Sequence, residues 1–124
     1  MTLGLTVKIP KSTAHQAITC MGALEQAYRR ASQAGLGQVV GELTEDRKEL
    51  AHRLQASGDN TVRIPAVTLS RIADRLTDGA QAEAGSEDLQ AALWRTAGRL
   101  QRWMAEAAEP PPPRTAGKAR AAGR

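Results

Sequence analysis

Large aromatic side chains are almost missing from this sequence of 124 residues. Phenylalanine is absent, there is one tyrosine, and the two tryptophans are Trp94 and Trp103. The core must therefore consist of aliphatic side chains and alanine, with the tryptophans as its largest candidates. An alanine-rich composition with few aromatics favours closely packed helices.

Features typical of export, membrane insertion or catalysis are also missing. Cys20 is the one cysteine, which excludes an intramolecular disulfide bond. No apolar run is long enough to span a bilayer, and the N-terminal stretch lacks the apolar region of a signal peptide. There is no glycine-rich phosphate loop, no Ser-His-Asp order and no zinc-ligand spacing, and His15 and His52 lie far apart. We therefore expect a bacterial cytoplasmic protein that is not an enzyme and has no catalytic residue, metal or cofactor.

The net charge of +4 belongs to the C-terminal segment. Four of the 17 basic residues follow Pro110 with no acid among them, which leaves 13 basic against 13 acidic residues in the rest of the chain. We expect a single domain over residues 1–109, then a polyproline spacer and a disordered basic tail over residues 110–124. The expected phosphate contacts of this tail are Arg114, Lys118, Arg120 and Arg124.

One stretch of the chain occurs twice. Residues 6–13 read TVKIPKST and residues 61–68 read TVRIPAVT, so five of eight positions are identical and a sixth exchanges Lys8 for Arg63. The apolar positions that follow stay aligned at helical spacing. The second helices also align, at an offset of 50 residues: Val39, Leu43, Leu50 and Leu54 fall on Leu89, Leu93, Leu100 and Met104.

These patterns predict two β-α-α units, about residues 3–57 and 60–108, that form a pseudo-twofold four-helix core with a small antiparallel ribbon. In the first strand Leu3, Leu5, Val7 and Ile9 alternate with polar or small residues and are expected to point inward. The helices are expected over residues 12–34, 38–56, 66–77 and from the N-cap Ser86 to 108. A start of the second helix near Thr44 stays open, and residues 78–85 are expected to fray.

Pairing of the two strands would place their outward residues on one face. These residues are Thr6, Lys8, Thr61 and Arg63. A ribbon of this kind fits the major groove of DNA, where Lys and Arg bind guanine and Thr contacts bases or phosphate. The alternative is that any half-exposed strand carries such residues outward.

The order of strand, Ile-Pro, helix, turn and helix resembles the ribbon-helix-helix family of bacterial repressors, antitoxins and plasmid relaxosome proteins. The strand of that family often reads like residues 61–65, TVRIP. The resemblance implies that Thr6, Lys8, Thr61 and Arg63 are the DNA-reading positions. Two units in one chain would correspond to a tandem member that forms the family's usual dimer internally. The first helix is longer than that family's, and the folded part carries no net charge.

Charged residues on two later helices suggest a second kind of surface. Glu42, Glu45, Asp46 and Glu49 share a face of the second helix, and Arg95, Arg99 and Arg102 share a face of the fourth. At the offset of 50, Glu45 matches Arg95 and Glu49 matches Arg99. If a pseudo-twofold axis brings the equivalent faces together, these opposite charges would pair the two units of the chain. They would also disfavour the pairing of two identical units. The alternative is two unrelated solvated faces.

Two functions therefore remain. In the first, the protein is a DNA-associated regulator with a ribbon interface and a basic tail, either a monomer with internal pseudo-symmetry or a homodimer. In the second, it is a helical protein-protein interaction or assembly module of a bacterial, phage or mobile-element complex, with no nucleic-acid role. Its partner surface would then be Trp94, expected to be exposed, with Arg95, Arg99 and Arg102.

Overall fold

A computed structural model of the chain describes residues 5–31 and 36–108. It is mainly helical with a two-stranded antiparallel sheet, as predicted. The predicted spacer and the basic tail residues lie outside the described residues. The elements in chain order are β1 (Thr6–Pro10), α1 (Lys11–Ala31), α2 (Leu36–Ala56), β2 (Thr61–Pro65), α3 (Ala66–Gln81) and α4 (Glu87–Ala108).

The two strands pair antiparallel with Lys8 directly opposite Arg63. Just beyond the strands, the Lys11 amide donates to the Asn60 carbonyl at 2.9 Å. Hydrogen-bonded and non-hydrogen-bonded pairs alternate along such a ladder, so Lys8 and Arg63 form a non-hydrogen-bonded pair. The last residue of each strand, Pro10 or Pro65, also falls at a non-hydrogen-bonded pair. The missing proline N–H groups therefore remove no bond from the ladder.

The ribbon has one buried face and one face toward solvent. Its inward side chains are almost completely buried: Val7, Ile9, Val62 and Ile64. Leu5, which was expected to point inward, is 40% exposed. That prediction was wrong because β1 begins at Thr6 and Leu5 precedes it, where the alternation of the strand no longer applies.

The buried side of the ribbon joins one aliphatic core contributed by all four helices. Helix α1 supplies Ala14, Ala17, Met21 and Leu24, and α3 supplies Leu69, Ile72 and Leu76. Helix α1 packs against α2 and α4, and α3 packs against α4. Trp103, a candidate for the core, is half-buried at its margin. The largest fully buried side chains of the core are therefore aliphatic and not aromatic.

Two helix boundaries differ from the predictions. Helix α2 begins at Leu36, which excludes the alternative start near Thr44. Helix α3 continues to Gln81 rather than ending near Thr77. The α3–α4 turn contains Glu83 and Gly85 at positive φ, and the Leu89 amide donates to Ser86 Oγ at 3.1 Å, which confirms the predicted N-cap.

Candidate nucleic-acid interface

The outer face of the ribbon carries two cations opposite each other. Thr6, Lys8 and Arg63 are exposed, and Thr61 is half-buried. Side chains approach most closely across a non-hydrogen-bonded pair, and like charges at such positions destabilise a ribbon. The pair therefore does not stabilise the fold, and both cations are available to a polyanion.

Thr61 differs from Thr6 because its polar groups are already bonded. Its amide and hydroxyl both donate to Asp59 Oδ1, at 2.9 and 2.8 Å. These bonds, the amide's first, hold the pKa of Asp59 below its ordinary value, and the charge of Lys8 acts in the same direction. Asp59 was not predicted as a site residue, although residues 57–60, SGDN, are a turn signal before the strand. Of the four predicted positions, Thr61 is thus the least free to contact DNA.

The edge of β2 that does not pair with β1 is bonded by side chains at the end of α2 and just after it. In non-hydrogen-bonded pairs the backbone groups point away from the neighbouring strand. The Arg63 carbonyl accepts from Arg53 Nη1 at 3.2 Å, and the Thr61 carbonyl accepts from Ser57 Oγ. Arg53 Nε also donates to Glu49 Oε2 at 3.1 Å. Arg53 was not predicted as a site residue, although its i, i+4 spacing from Glu49 signals the ion pair.

A shallow groove of about 260 Å³ follows this edge. Its lining comprises Arg53, Ala56, Ser57, Asp59, Thr61 and Arg63. Lys11 lies at the same end of the ribbon, where Nζ donates to the Ser57 carbonyl at 3.3 Å. Basic side chains therefore continue from the outer face of the ribbon onto one of its edges.

Two carboxylates of α2, those of Asp46 and Glu42, bond to arginines of α3. Asp46 accepts two hydrogen bonds from Arg71, both at 2.9 Å, and Glu42 accepts one from Arg75. The bond to Asp46 raises the pKa of Arg71. The hypothesis that this face pairs with the α4 arginines does not hold in the described part of the chain, because there α2 contacts α3 and does not contact α4.

A second acidic group ties α1 to α2. Glu25 is buried in α1 and accepts from Thr44 Oγ1 at 2.9 Å and from Arg47 Nε at 2.6 Å. The bond to Glu25 raises the pKa of Arg47. Since the bonds satisfy the buried carboxylate, we assign Glu25 a structural role.

The predicted partner residues of α4 lie on its solvent side. Trp94 is 49% exposed, as expected, and Arg95, Arg99 and Arg102 are exposed beside it. Arg99 Nη1 donates to Gln16 Oε1 of α1. All four predicted partner residues are therefore exposed on α4, and one of them also bonds to α1.

Cys20 lies in the contact between α1 and α4. Its Sγ is 3.3 Å from Thr96 Oγ1 and 3.7 Å from the Ala92 carbonyl oxygen. It is buried, where a free cysteine packs as a small apolar side chain. Within residues 5–31 and 36–108, no three His, Cys, Asp or Glu side chains are grouped to hold a metal ion.

No protein family, curated protein or solved structure matches this chain significantly. Among the described helices, none has the length and apolar character needed to cross a membrane.

Proposed function

We propose that this chain is a small, non-enzymatic, DNA-associated regulator of the bacterial cytoplasm that reads duplex DNA through the outer face of its ribbon. The observation that carries this proposal is the exposed pair of Lys8 and Arg63 directly across the two strands. Both cations are exposed to solvent, and the opposite face of the ribbon is buried in the core. A two-stranded ribbon fits the major groove, and basic side chains there bind the acceptor edge of guanine. The ribbon-helix-helix resemblance supports the same positions.

We further propose that the two β-α-α units are related by a pseudo-twofold axis through the ribbon. Positions that correspond at an offset of 55 meet each other: Lys8 faces Arg63 in the sheet, and the Leu24 side chain lies where a side chain at Gly79 would be. The two flanking backbone bonds, from Lys11 to Asn60 and from Ala66 to Leu5, also correspond at this offset. In this arrangement, one chain forms the two-strand reader that otherwise requires two subunits.

The contact between α2 and α3 contains an ion pair, whereas the corresponding contact between α4 and α1 is neutral. This difference favours pairing of the two units of one chain over pairing of units from two chains. Glu42 and Arg75 form an ion pair between α2 and α3. The corresponding residues, Ala92 and Cys20, form a neutral contact between α4 and α1. Pairing of two first units would place Glu42 against a cysteine, and a partly buried carboxylate would lose its partner. We therefore propose a monomer with internal pseudo-symmetry.

The function is tested by titrating the full chain against duplex DNA at 50 and 200 mM salt. One set of duplexes has mixed sequence, and the other is enriched from a random pool by successive rounds of binding. A DNA reader is expected to bind the enriched duplexes at least about 10³-fold more tightly than the mixed ones. Equal affinity for both sets would overturn the proposal of base reading, and no binding would overturn the DNA function itself.

A second candidate function rests on the exposed face of α4. Trp94 is 49% exposed, where a protein partner could bury a large aromatic side chain. In this alternative the ribbon closes the fold, and Trp94 with Arg95, Arg99 and Arg102 binds protein. The absence of net charge outside the C-terminal segment favours this reading, and the basic outer face of the ribbon favours the first.

A further inference from the structure

A further basic side chain, Arg53, lies at the edge of β2 that does not pair with β1. It is not part of the outer face of the ribbon. Arg53 projects from α2 to this edge and donates to the Arg63 carbonyl. Its side chain remains 37% exposed. Arg53 and Arg63 line the same groove, so a group bound there would lie within reach of both guanidinium groups.

A ribbon inserted in the major groove has its two edges toward the two sugar-phosphate strands. The groove is about 12 Å wide, and two paired strands are about 5 Å apart. Side chains at the ribbon edges therefore span the remaining distance to the phosphates. At the β2 edge, in the described part of the chain, the residue with the charge and length for this contact is Arg53.

The local charges favour an anion despite two nearby acids. Lys8, Lys11, Arg53 and Arg63 surround this end of the ribbon, whereas the acids are Glu49 and Asp59. Glu49 bonds Nε of Arg53, and the Arg63 carbonyl accepts from Nη1. These two bonds restrict the side chain before any ligand arrives, which reduces the entropy lost on binding.

We propose that Arg53 binds a backbone phosphate of the DNA strand beside β2, and that this contact orients the ribbon on its site. The inference rests on the proposed DNA function. At an offset of 50 the corresponding residue of α4 is Trp103, which is half-buried and neutral. The phosphate anchor is therefore present at one edge of the ribbon, and the two orientations of the ribbon in the groove are not equivalent.

The anchor is tested with Arg53→Gln in the full chain, measured on the enriched and mixed duplexes over 50 to 200 mM salt. Loss of one phosphate contact lowers the slope of log K against log salt by about 0.9. The ratio of variant to wild-type Kd therefore shrinks by about 3.5-fold over this range of salt. The loss is expected to be equal on both sets of duplexes, because phosphate contacts carry no sequence information directly.

Three further variants distinguish a phosphate contact from a purely structural edge cap. Arg53→Lys keeps the charge and is expected to retain the wild-type salt slope. Glu49→Gln removes the carboxylate that neutralises Arg53 and is expected to tighten binding to every duplex. Arg30→Gln is the matched control, because Arg30 is exposed at the opposite end of α1 from the ribbon.

The outcomes separate this inference from the proposed function. A wild-type salt slope for Arg53→Gln, with Lys8→Ala still impairing base preference, would overturn the anchor and leave the DNA function intact. A Glu49→Gln variant that binds every duplex as the wild type does would also contradict the anchor, because the charge beside Arg53 would then have no effect on phosphate binding. A wild-type chain that binds no duplex would overturn both proposals.

Discussion

The side chain of Leu24 in α1 occupies the space directly beside Gly79 in α3. A Cβ atom at position 79 would lie 2.6 Å from Leu24 Cδ1 and 2.9 Å from Cδ2. Leu24 has no exposed surface, so it cannot move into solvent to relieve such a clash. The missing side chain at position 79 therefore allows α1 and α3 to approach closely.

We expect Gly79→Ala to destabilise the protein although alanine favours helix. Overpacking a rigid core costs about 1–3 kcal/mol, which exceeds the gain of about 0.5–1 kcal/mol from replacing a helical glycine. Gly98 in α4 is the matched control because no heavy atom lies within 4 Å of its Cβ position. Chemical denaturation should show a lower free energy of unfolding for Gly79→Ala and a higher one for Gly98→Ala. A gain in both variants would contradict the close contact.

Removal of Arg71 should destabilise the contact between α2 and α3. The Asp46 side chain is 6% exposed and would keep a charge without its two hydrogen bonds. We expect Arg71→Ala to lower the free energy of unfolding by about 1–3 kcal/mol. Asp46→Ala together with Arg71→Ala should cost less than the sum of the two single changes. Arg102→Ala, at an exposed arginine of α4, is the control and should stay within about 0.5 kcal/mol of wild type.

Substitution of the ribbon cations should impair DNA recognition without weakening the fold. Lys8→Ala and Arg63→Ala are each expected to cost about 1–3 kcal/mol of affinity for an enriched duplex and to relax base preference. The free energy of unfolding should be unchanged or slightly higher, because the substitutions remove a like-charge pair. Thr61→Val should instead lower stability, since its hydroxyl bonds Asp59. Unchanged base preference in both cation variants would rule out reading by the ribbon.

Deletion of residues 110–124 should remove affinity that is independent of sequence. This segment carries four basic residues and no acid, and its expected contacts are with phosphate. We expect weaker binding to every polyanion and a shallower salt slope, while the thermal midpoint and the ranking of duplexes stay the same. A large fall in the thermal midpoint would show that the segment contributes to the folded core.

The alternative function makes its own prediction at Trp94. If α4 is a partner surface, Trp94→Ala and charge reversal at Arg95 should weaken protein association, whereas Lys8→Ala and Arg63→Ala should leave it unchanged. Association is measured by sedimentation of the purified chain and by affinity capture with each variant. Conversely, loss of DNA binding on Trp94→Ala, with the fold intact, would contradict the separation of the two surfaces.

Much of the fold was predictable because the hydrophobic alternation of each strand and the proline that follows it indicate the same element boundaries. The alternation in TVKIP and TVRIP predicted which residues of each strand are buried, and the proline after each strand predicted the change to helix. The structure confirms the antiparallel pairing and the outward positions of Lys8 and Arg63. Side-chain alternation has a period of two, so one buried valine determines the face of every neighbour in the strand.

Which helices meet was decided only by the tertiary structure. The sequence placed the acids of α2 on one face, but nothing in their spacing shows that Arg71 of α3, rather than Arg95 of α4, lies opposite Asp46. The same is true of Arg53 at the edge of β2. Periodicity determines the face of an element on which a side chain lies, because each residue turns by a fixed angle. The partner of that face depends on how the helices cross, and the crossing is set by the combined packing of the core.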